Sequence, residues 1–494
     1  MIHMQKKAAG ILMPLASLPS REGMGCMGSD AYRFADSLSR MHIRVWQILP
    51  LNPLGYGNSP YQPFSSYAGD EKYISLEMLE KDGLLPDGFA PYTETGEPDR
   101  IDYEKAGAYK KQYLEKAAQA FYQMHADDPQ FRAFCSLSWV YPYAVFMALK
   151  RQNGLRPWTE WPQEQKDWIL DRKYDLSHLK EQIDYERFVQ YVFSLQWKKL
   201  KAYANSKGIL IMGDIPFYDG LDSLDVWSGR DNFLLNKDGR PDFIAGVPPD
   251  FFNALGQRWG NPIYNWEKME KDGFSFWLGR LAYNAGLYDI LRIDHFRAFD
   301  TYWKIPASCE TAIEGEWIQA PGKALFQKIY EQMPQIRIVA EDLGGDLTPG
   351  VHALRDGFGL MGMNVADFTL LSEEEPIEHQ LIYTGTHDNQ TVRGWYESMD
   401  KKEKVRFLDA LKDYGSEETP VSEKMVRYVM MSVCELAIVP LADVLDLDDR
   451  ARLNNPGTIG SPNWEWRLDS YAPLLQKEAF VRALVRESGR DRKN

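Results

Sequence analysis

Residues 208–217 read Gly-Ile-Leu-Ile-Met-Gly-Asp-Ile-Pro-Phe, a short apolar run that ends on Gly213 and Asp214. A run of this length, apolar at consecutive positions and closed by a polar turn, is the pattern of a strand buried on both faces of a parallel sheet. Seven further stretches have the same form: 9–17, 44–51, 289–296, 336–343, 363–368, 381–388 and 436–444. Most are followed by residues with helical periodicity, 30–41 and 324–333 being the clearest. Eight strands alternating with helices predict a (β/α)8 TIM barrel. A doubly wound sheet is the competing layout, but no Gly-x-Gly-x-x-Gly or phosphate-loop pattern follows the first strand. Gly25 and Gly28 lack the Lys-Ser/Thr that a phosphate loop needs and read as a tight turn.

The spacing between strands locates the rest of the chain. Strands two and three are separated by 52–207, and strands three and four by 218–288. The first interval holds helical patterns at 103–123, 136–151, 162–173 and 179–206. The second is rich in aromatics, Pro and Gly. Both follow strand C-terminal ends, the face on which barrels build their sites. The expectation is one elaborated barrel over 1–494, with a mostly helical insertion at 52–207, a cleft-lining insertion at 218–288 and no C-terminal β-domain.

Composition narrows the function. Of 494 residues, 57 are Lys or Arg and 71 are Asp or Glu, a formal charge of −14 that argues against a nucleic-acid partner. The 37 Gly and 28 Pro are too few for a low-complexity chain. Four cysteines without close spacing fit reduced thiols rather than a disulfide frame or a zinc site. The basic start before 8–15 is followed by a short apolar run broken by Pro14. It reads as a first strand rather than a signal peptide, and no window reaches the length of a membrane span. The expected setting is the cytoplasm, with no membrane partner.

Carboxylates gather at the strand ends: Asp214 after the third, Asp294 with Arg292 on the fourth, Glu341 after the fifth and Asp388 after the seventh. A carboxylate there is costly unless it is paired or used. Arg292 and Asp294, two residues apart, share a side of the strand, so the guanidinium can keep Asp294 ionised as a nucleophile requires. Any one strand-end Asp serves equally well as a helix N-cap or a loop acceptor, and Asp342, Asp300 and Asp346 are read in that structural sense. Four such positions together predict a carboxylate-catalysed site. Histidine is scarce, eight in all, and His295 and His387 stand on different strands without metal-ligand spacing. A divalent site on Asp294, Glu341 and Asp388 is the rival use; the expectation is no metal and no cofactor.

Aromatic residues form a second signal, with 15 Trp, 27 Tyr and 23 Phe. Most belong to the core. Tyr56, Phe251, Phe252, Trp259, Trp464 and Trp466 instead fall in polar, Gly- and Pro-rich segments where no core element is expected. Rings on loops above a barrel, beside Asp, Asn and Arg, suit stacking on sugar faces; anchoring the loops is the alternative.

The motifs together resemble the 4-alpha-glucanotransferases of the amylomaltase or disproportionating type, glycoside hydrolase family 77. The resemblance runs nearly end to end. It rests on Gly55-Tyr56-Gly57-Asn58-Ser59-Pro60-Tyr61-Gln62, Gly213-Asp214-Ile215-Pro216 and Gly246-Val247-Pro248-Pro249-Asp250, then Gln257–Pro262. It continues in Arg292-Ile293-Asp294-His295-Phe296-Arg297, Ala340-Glu341-Asp342-Leu343-Gly344, Thr384-Gly385-Thr386-His387-Asp388-Asn389 and Asn455-Pro456-Gly457-Thr458. It implies Asp294 as nucleophile, Glu341 as general acid/base and Asp388 as the carboxylate that binds sugar hydroxyls and stabilises the transition state. Arg292, His387 and a stacking Tyr56 would hold the cleaved sugar, and Asp214, in the first carboxylate motif, would bind substrate as well. Asp250, Phe251 and Trp259 would line the acceptor side, and His295, Asn463 and Trp464 would also meet substrate. The partners implied are maltooligosaccharides, amylose, starch- or glycogen-derived glucans, and glucose as acceptor. Ala442 and Asn58 depart from the family pattern without touching the three catalytic positions. A retaining hydrolase of the α-amylase type and a catalytically silent glucan-binding protein are the other readings.

Overall fold

The computed structural model describes residues 7–85, 88–93, 96–249, 254–344, 347–372 and 375–491. All eight expected strands are present: β1 Ala8–Leu12, β2 Val45–Gln47, β3 Leu210–Ile215, β4 Ile290–Ile293, β5 Ile338–Ala340, β6 Gly362–Val365, β7 Gln380–Tyr383 and β8 Leu436–Pro440. They pair in parallel, each with the next, and β8 pairs with β1 through Ala8↔Leu436 to Leu12↔Pro440. A parallel bridge from Val339 to Met361 closes the barrel between β5 and β6. The strands are buried almost throughout, which is why they read as continuous apolar runs.

The helix Ser29–Arg40 illustrates the outer ring. Its buried Ala31, Phe34, Ala35 and Leu38 recur at intervals of three and four, and Phe34 meets Trp46 of β2 edge-on at 5.0 Å. Asp30 lies in its first turn and Arg40 in its last, as the helix dipole favours. Within 52–207 the long helices are Tyr103–His125, Val140–Gln152 and Lys180–Ser206. The helix expected at 136–151 starts later, at Val140, after a separate helix Pro129–Cys135. Pro142 lacks an N–H and is tolerated only in a first turn, so the helix cannot extend four residues before it. The pattern at 162–173 divides into Gln163–Lys166 and Trp168–Asp171 and stops at Arg172, whose φ is 58°.

The region expected to be a loop-rich insertion contributes two strands, Phe243–Val247 and Gln257–Pro262. They join Thr301–Pro306 and Glu316–Gln319, from beyond β4, in an antiparallel sheet. Gln257–Pro262 and Glu316–Gln319 are largely uncovered and lack the apolar runs that revealed the barrel. The last helix described is Ala472–Glu487. Among the described residues no helix is long and apolar enough to cross a membrane.

Candidate functional site

β3 and β4 pair with Asp214 beside Arg292. Gly213, just before Asp214, packs against the Tyr288 ring; a Cβ there would lie 2.3 Å from it, so no larger residue fits. The Arg292 Nη1 donates to both oxygens of Asp214, at 2.8 and 2.7 Å, and to Asp294 Oδ1 at 3.2 Å. The side chain of Asp214 is 0% exposed and that of Asp294 33%. The two carboxylates therefore differ in use. Asp294 is open to a ligand, whereas Asp214 is sealed behind the guanidinium. Asp214, expected among the substrate-binding residues, lies behind Arg292 and holds it.

After Asp294 the chain turns sharply, with His295 at a φ of 52°. That left-handed conformation is uncommon for a residue with a Cβ. It aims the His295 N–H at Glu341 Oε2, 2.7 Å away. Burial and the Asp294 charge push the Glu341 carboxyl well above its ordinary range. Asp294 is also raised by burial, and the adjacent Arg292 opposes the rise. Of the two, only Asp294 has the guanidinium in contact. The two carboxyls have environments suited to an ionised group and an acid.

Asp388 follows β7 and is 42% exposed at its side chain. Its Oδ1 accepts from Asn454 Nδ2 at 2.6 Å, its Oδ2 lies 3.4 Å from His387 Nε2, and its carbonyl accepts from Arg452 Nη2 at 2.8 Å. His387 is buried, which lowers its pKa. The Tyr61 ring lies parallel to His387 at 5.0 Å and 16°, and its hydroxyl donates to Asp214 Oδ2 at 2.8 Å. Trp464 closes the group, 5.8 Å from Tyr61 and 5.9 Å from His387 between ring centroids.

Tyr61 joins the site from outside the expected residues; the second tyrosine of 55–62 is the available signal. Asn454, directly before the Asn455–Thr458 motif, joins it in the same way.

On the other side, Trp259 stands on an antiparallel strand rather than in a loop, and meets the His295 ring edge-on at 4.8 Å. Burial lowers the His295 pKa to about 3, so the ring is neutral, and its buried Nε2 has no hydrogen-bond partner among the described residues. Trp464 and Trp466 are buried rather than displayed on a loop. Asn463 is buried too, and it is committed to its own loop. It accepts from the Asn455 N–H at 2.9 Å and donates to Thr458 Oγ1 at 2.9 Å, leaving little for a ligand.

Asp342 is the expected structural acceptor, bonded by Arg355 at 2.6 Å and the Met363 N–H at 2.8 Å. Asp300 accepts from Thr348 Oγ1 at 2.7 Å and Gln319 Nε2 at 3.1 Å, a brace between segments rather than a helix cap. Asp250, Phe251, Phe252 and Asp346 lie outside the described residues, as does the side chain of Tyr56. Among the described residues no three His, Cys, Asp or Glu side chains are grouped to hold a metal ion.

A family model described as 4-alpha-glucanotransferase, of glycoside hydrolase family 77, matches residues 13–472. The chain belongs to this family. It is 42% identical over 483 residues to the 4-alpha-glucanotransferase of Thermus thermophilus, covering 94% of this chain and 95% of that one. It is 40% identical over 496 residues to that of Aquifex aeolicus, covering 98% and 100%. Among solved structures, the amylomaltase from Streptococcus agalactiae in complex with acarbose is 34% identical, with a TM-score of 0.92 and coverage of 98% and 100%. The eight-stranded barrel is thus the amylomaltase architecture. The chain has 4-alpha-glucanotransferase activity, and neither the hydrolase nor the silent-binder reading is favoured by these matches.

Proposed function

We propose that this family member moves a segment of 1,4-α-glucan to the 4-hydroxyl of glucose or a maltooligosaccharide by a retaining double displacement. The observation that carries the reading is the pairing at the end of β4: Arg292 on Asp294, and the His295 N–H on Glu341. Asp294 is the nucleophile. Its carboxylate attacks the anomeric carbon while Glu341 protonates the departing glycosidic oxygen, and a glycosyl ester on Asp294 results. Glu341, now ionised, takes the proton of the acceptor 4-hydroxyl, whose oxygen displaces Asp294 and restores the α-configuration. Retaining enzymes hold such a pair about 5–5.5 Å apart. Asp388, open to the cleft, binds sugar hydroxyls and gains most from them as the ring flattens toward the oxocarbenium ion.

Arg292 and His387 shape the donor side, with Trp464 buried beneath. Trp259, edge-on to the His295 ring, faces the acceptor side. Tyr56, Asp250 and Phe251 keep the substrate contacts that the family resemblance assigns them. The chain reads as one elaborated barrel over 1–494, with 52–207 and 218–288 as its insertions, working in the cytoplasm. Maltotriose tests the function: transfer yields glucose and a ladder of longer chains. Reducing ends without elongation overturn it.

A further inference from the structure

Residues 384–392, which carry Asp388, hang on three carboxylates. Asp443 accepts from Thr384 Oγ1 at 2.6 Å and from the Val392 N–H at 2.8 Å, pinning both ends of the segment. Asp449 accepts from Gln390 Nε2 at 2.6 Å and the Thr391 N–H at 3.0 Å. The third, Asp367, follows β6 and accepts from Asn389 Nδ2 at 2.7 Å. Its own N–H donates to Thr384 O at 3.2 Å, which anchors it between β6 and β7.

The bond to Asn389 is the start of a directed chain. Asn389 turns its oxygen toward Thr386, whose N–H and hydroxyl both donate to it at 2.8 Å. The single hydroxyl proton of Thr386 is then committed, and the Thr386 oxygen accepts the Asp388 N–H at 3.2 Å. With the Asn389 amide reversed, its NH2 would face the Thr386 N–H and its oxygen the Asp367 carboxylate. An acceptor at 367 selects the working orientation.

We propose that Asp367 is a positioning residue for Asp388, acting through Asn389 and Thr386 to set the main chain from which that carboxylate projects. The inference rests on the reading of Asp388 as a carboxylate that meets the sugar. Misplacing such a group by a fraction of an ångström costs rate rather than ground-state binding, because the contact tightens in the transition state.

The test is steady-state kinetics on maltotriose with thermal unfolding of each variant. Asp367→Ala lowers kcat about tenfold, with KM and Tm nearly unchanged. Asp367→Asn keeps an oxygen acceptor for Asn389 and restores most of the loss. A kcat for Asp367→Ala within about twofold of the parent overturns the proposal, and so does an Asp367→Asn variant as slow as Asp367→Ala. If Asp367→Ala does not fold, Asn389→Ala and Asp367→Asn decide. A slow Asn389→Ala with a near-normal Asp367→Asn supports the chain, and a normal Asn389→Ala overturns it. The double variant Asp367→Ala/Asn389→Ala is no slower than Asn389→Ala alone, and multiplied losses overturn a shared route. Asp388→Asn is the control. If it stays active, the reading of Asp388 fails. If it is dead while Asp367→Ala is normal, only the role of Asp367 fails.

Discussion

The main-chain N–H of His295, one residue beyond Asp294, donates to the carboxylate of Glu341 at 2.7 Å. Glu341 is therefore held by the peptide adjoining Asp294, and the two carboxyls cannot drift independently. The left-handed turn at His295 is the local strain that makes this contact.

Replacing Asp294 with Ala removes the proposed nucleophile and leaves Arg292 with both bonds to Asp214. The expected outcome is a loss of turnover on maltotriose of at least about 10³-fold, with a Tm close to that of the parent. Retained turnover removes Asp294 from the nucleophile role.

Asp214→Leu strips a buried guanidinium of its main partner and frees the Tyr61 hydroxyl. Breaking a buried pair from one side costs about 3–5 kcal/mol. Urea unfolding is expected to show that loss, together with a lower kcat. Equal stability to the parent contradicts the arrangement.

Glu341→Gln separates catalysis from stability. The raised carboxyl of Glu341 takes its proton more tightly folded than unfolded, so this group destabilises the fold increasingly as pH rises above its unfolded pKa, up to the folded one. Glutamine abolishes that penalty. Tm is expected to rise relative to the parent at pH 7 to 8 and to match it near pH 4, while transfer from maltotriose collapses. A variant less stable at neutral pH counts against the protonated Glu341.

The same charge coupling sets the acid limb of kcat/KM. As the proposed nucleophile Asp294 must lose its proton to attack, and burial raises its pKa to about 7. Activity is expected to rise with pH through a limb above the ordinary carboxylate range, belonging to the pair rather than to either group alone. A limb near pH 4 contradicts this.

At the opposite end of the barrel, buried Arg490 donates to Met430 O at 2.7 Å, Ala8 O at 3.0 Å and Ser432 O at 3.1 Å. It ties the end of the described chain to the starts of β1 and β8. Arg490→Met takes its donors from those carbonyls, of which Ser432 O keeps Lys7 Nζ at 2.8 Å, at a cost of about 3 kcal/mol, with kcat per folded molecule unchanged. A variant as stable as the parent refutes the clamp.

The eight strands and the order of Asp214, Asp294, Glu341 and Asp388 along them were legible in the chain itself. Burial on both faces demands unbroken apolar runs, and a carboxylate that ends such a run stands out. The motifs around these residues carried the family resemblance as well. The antiparallel sheet was not legible, because Gln257–Pro262 and Glu316–Gln319 lack apolar runs and two of its strands come from beyond β4. Partnership was also decided only by the folded chain. The stacking of Tyr61 on His387, the seclusion of Asp214 and the chain from Asp367 to Asp388 all join residues on different segments. Local patterning reports whether a side chain is buried. Which group it meets depends on how loops from separate strands converge on one face of the barrel, and no single segment encodes that.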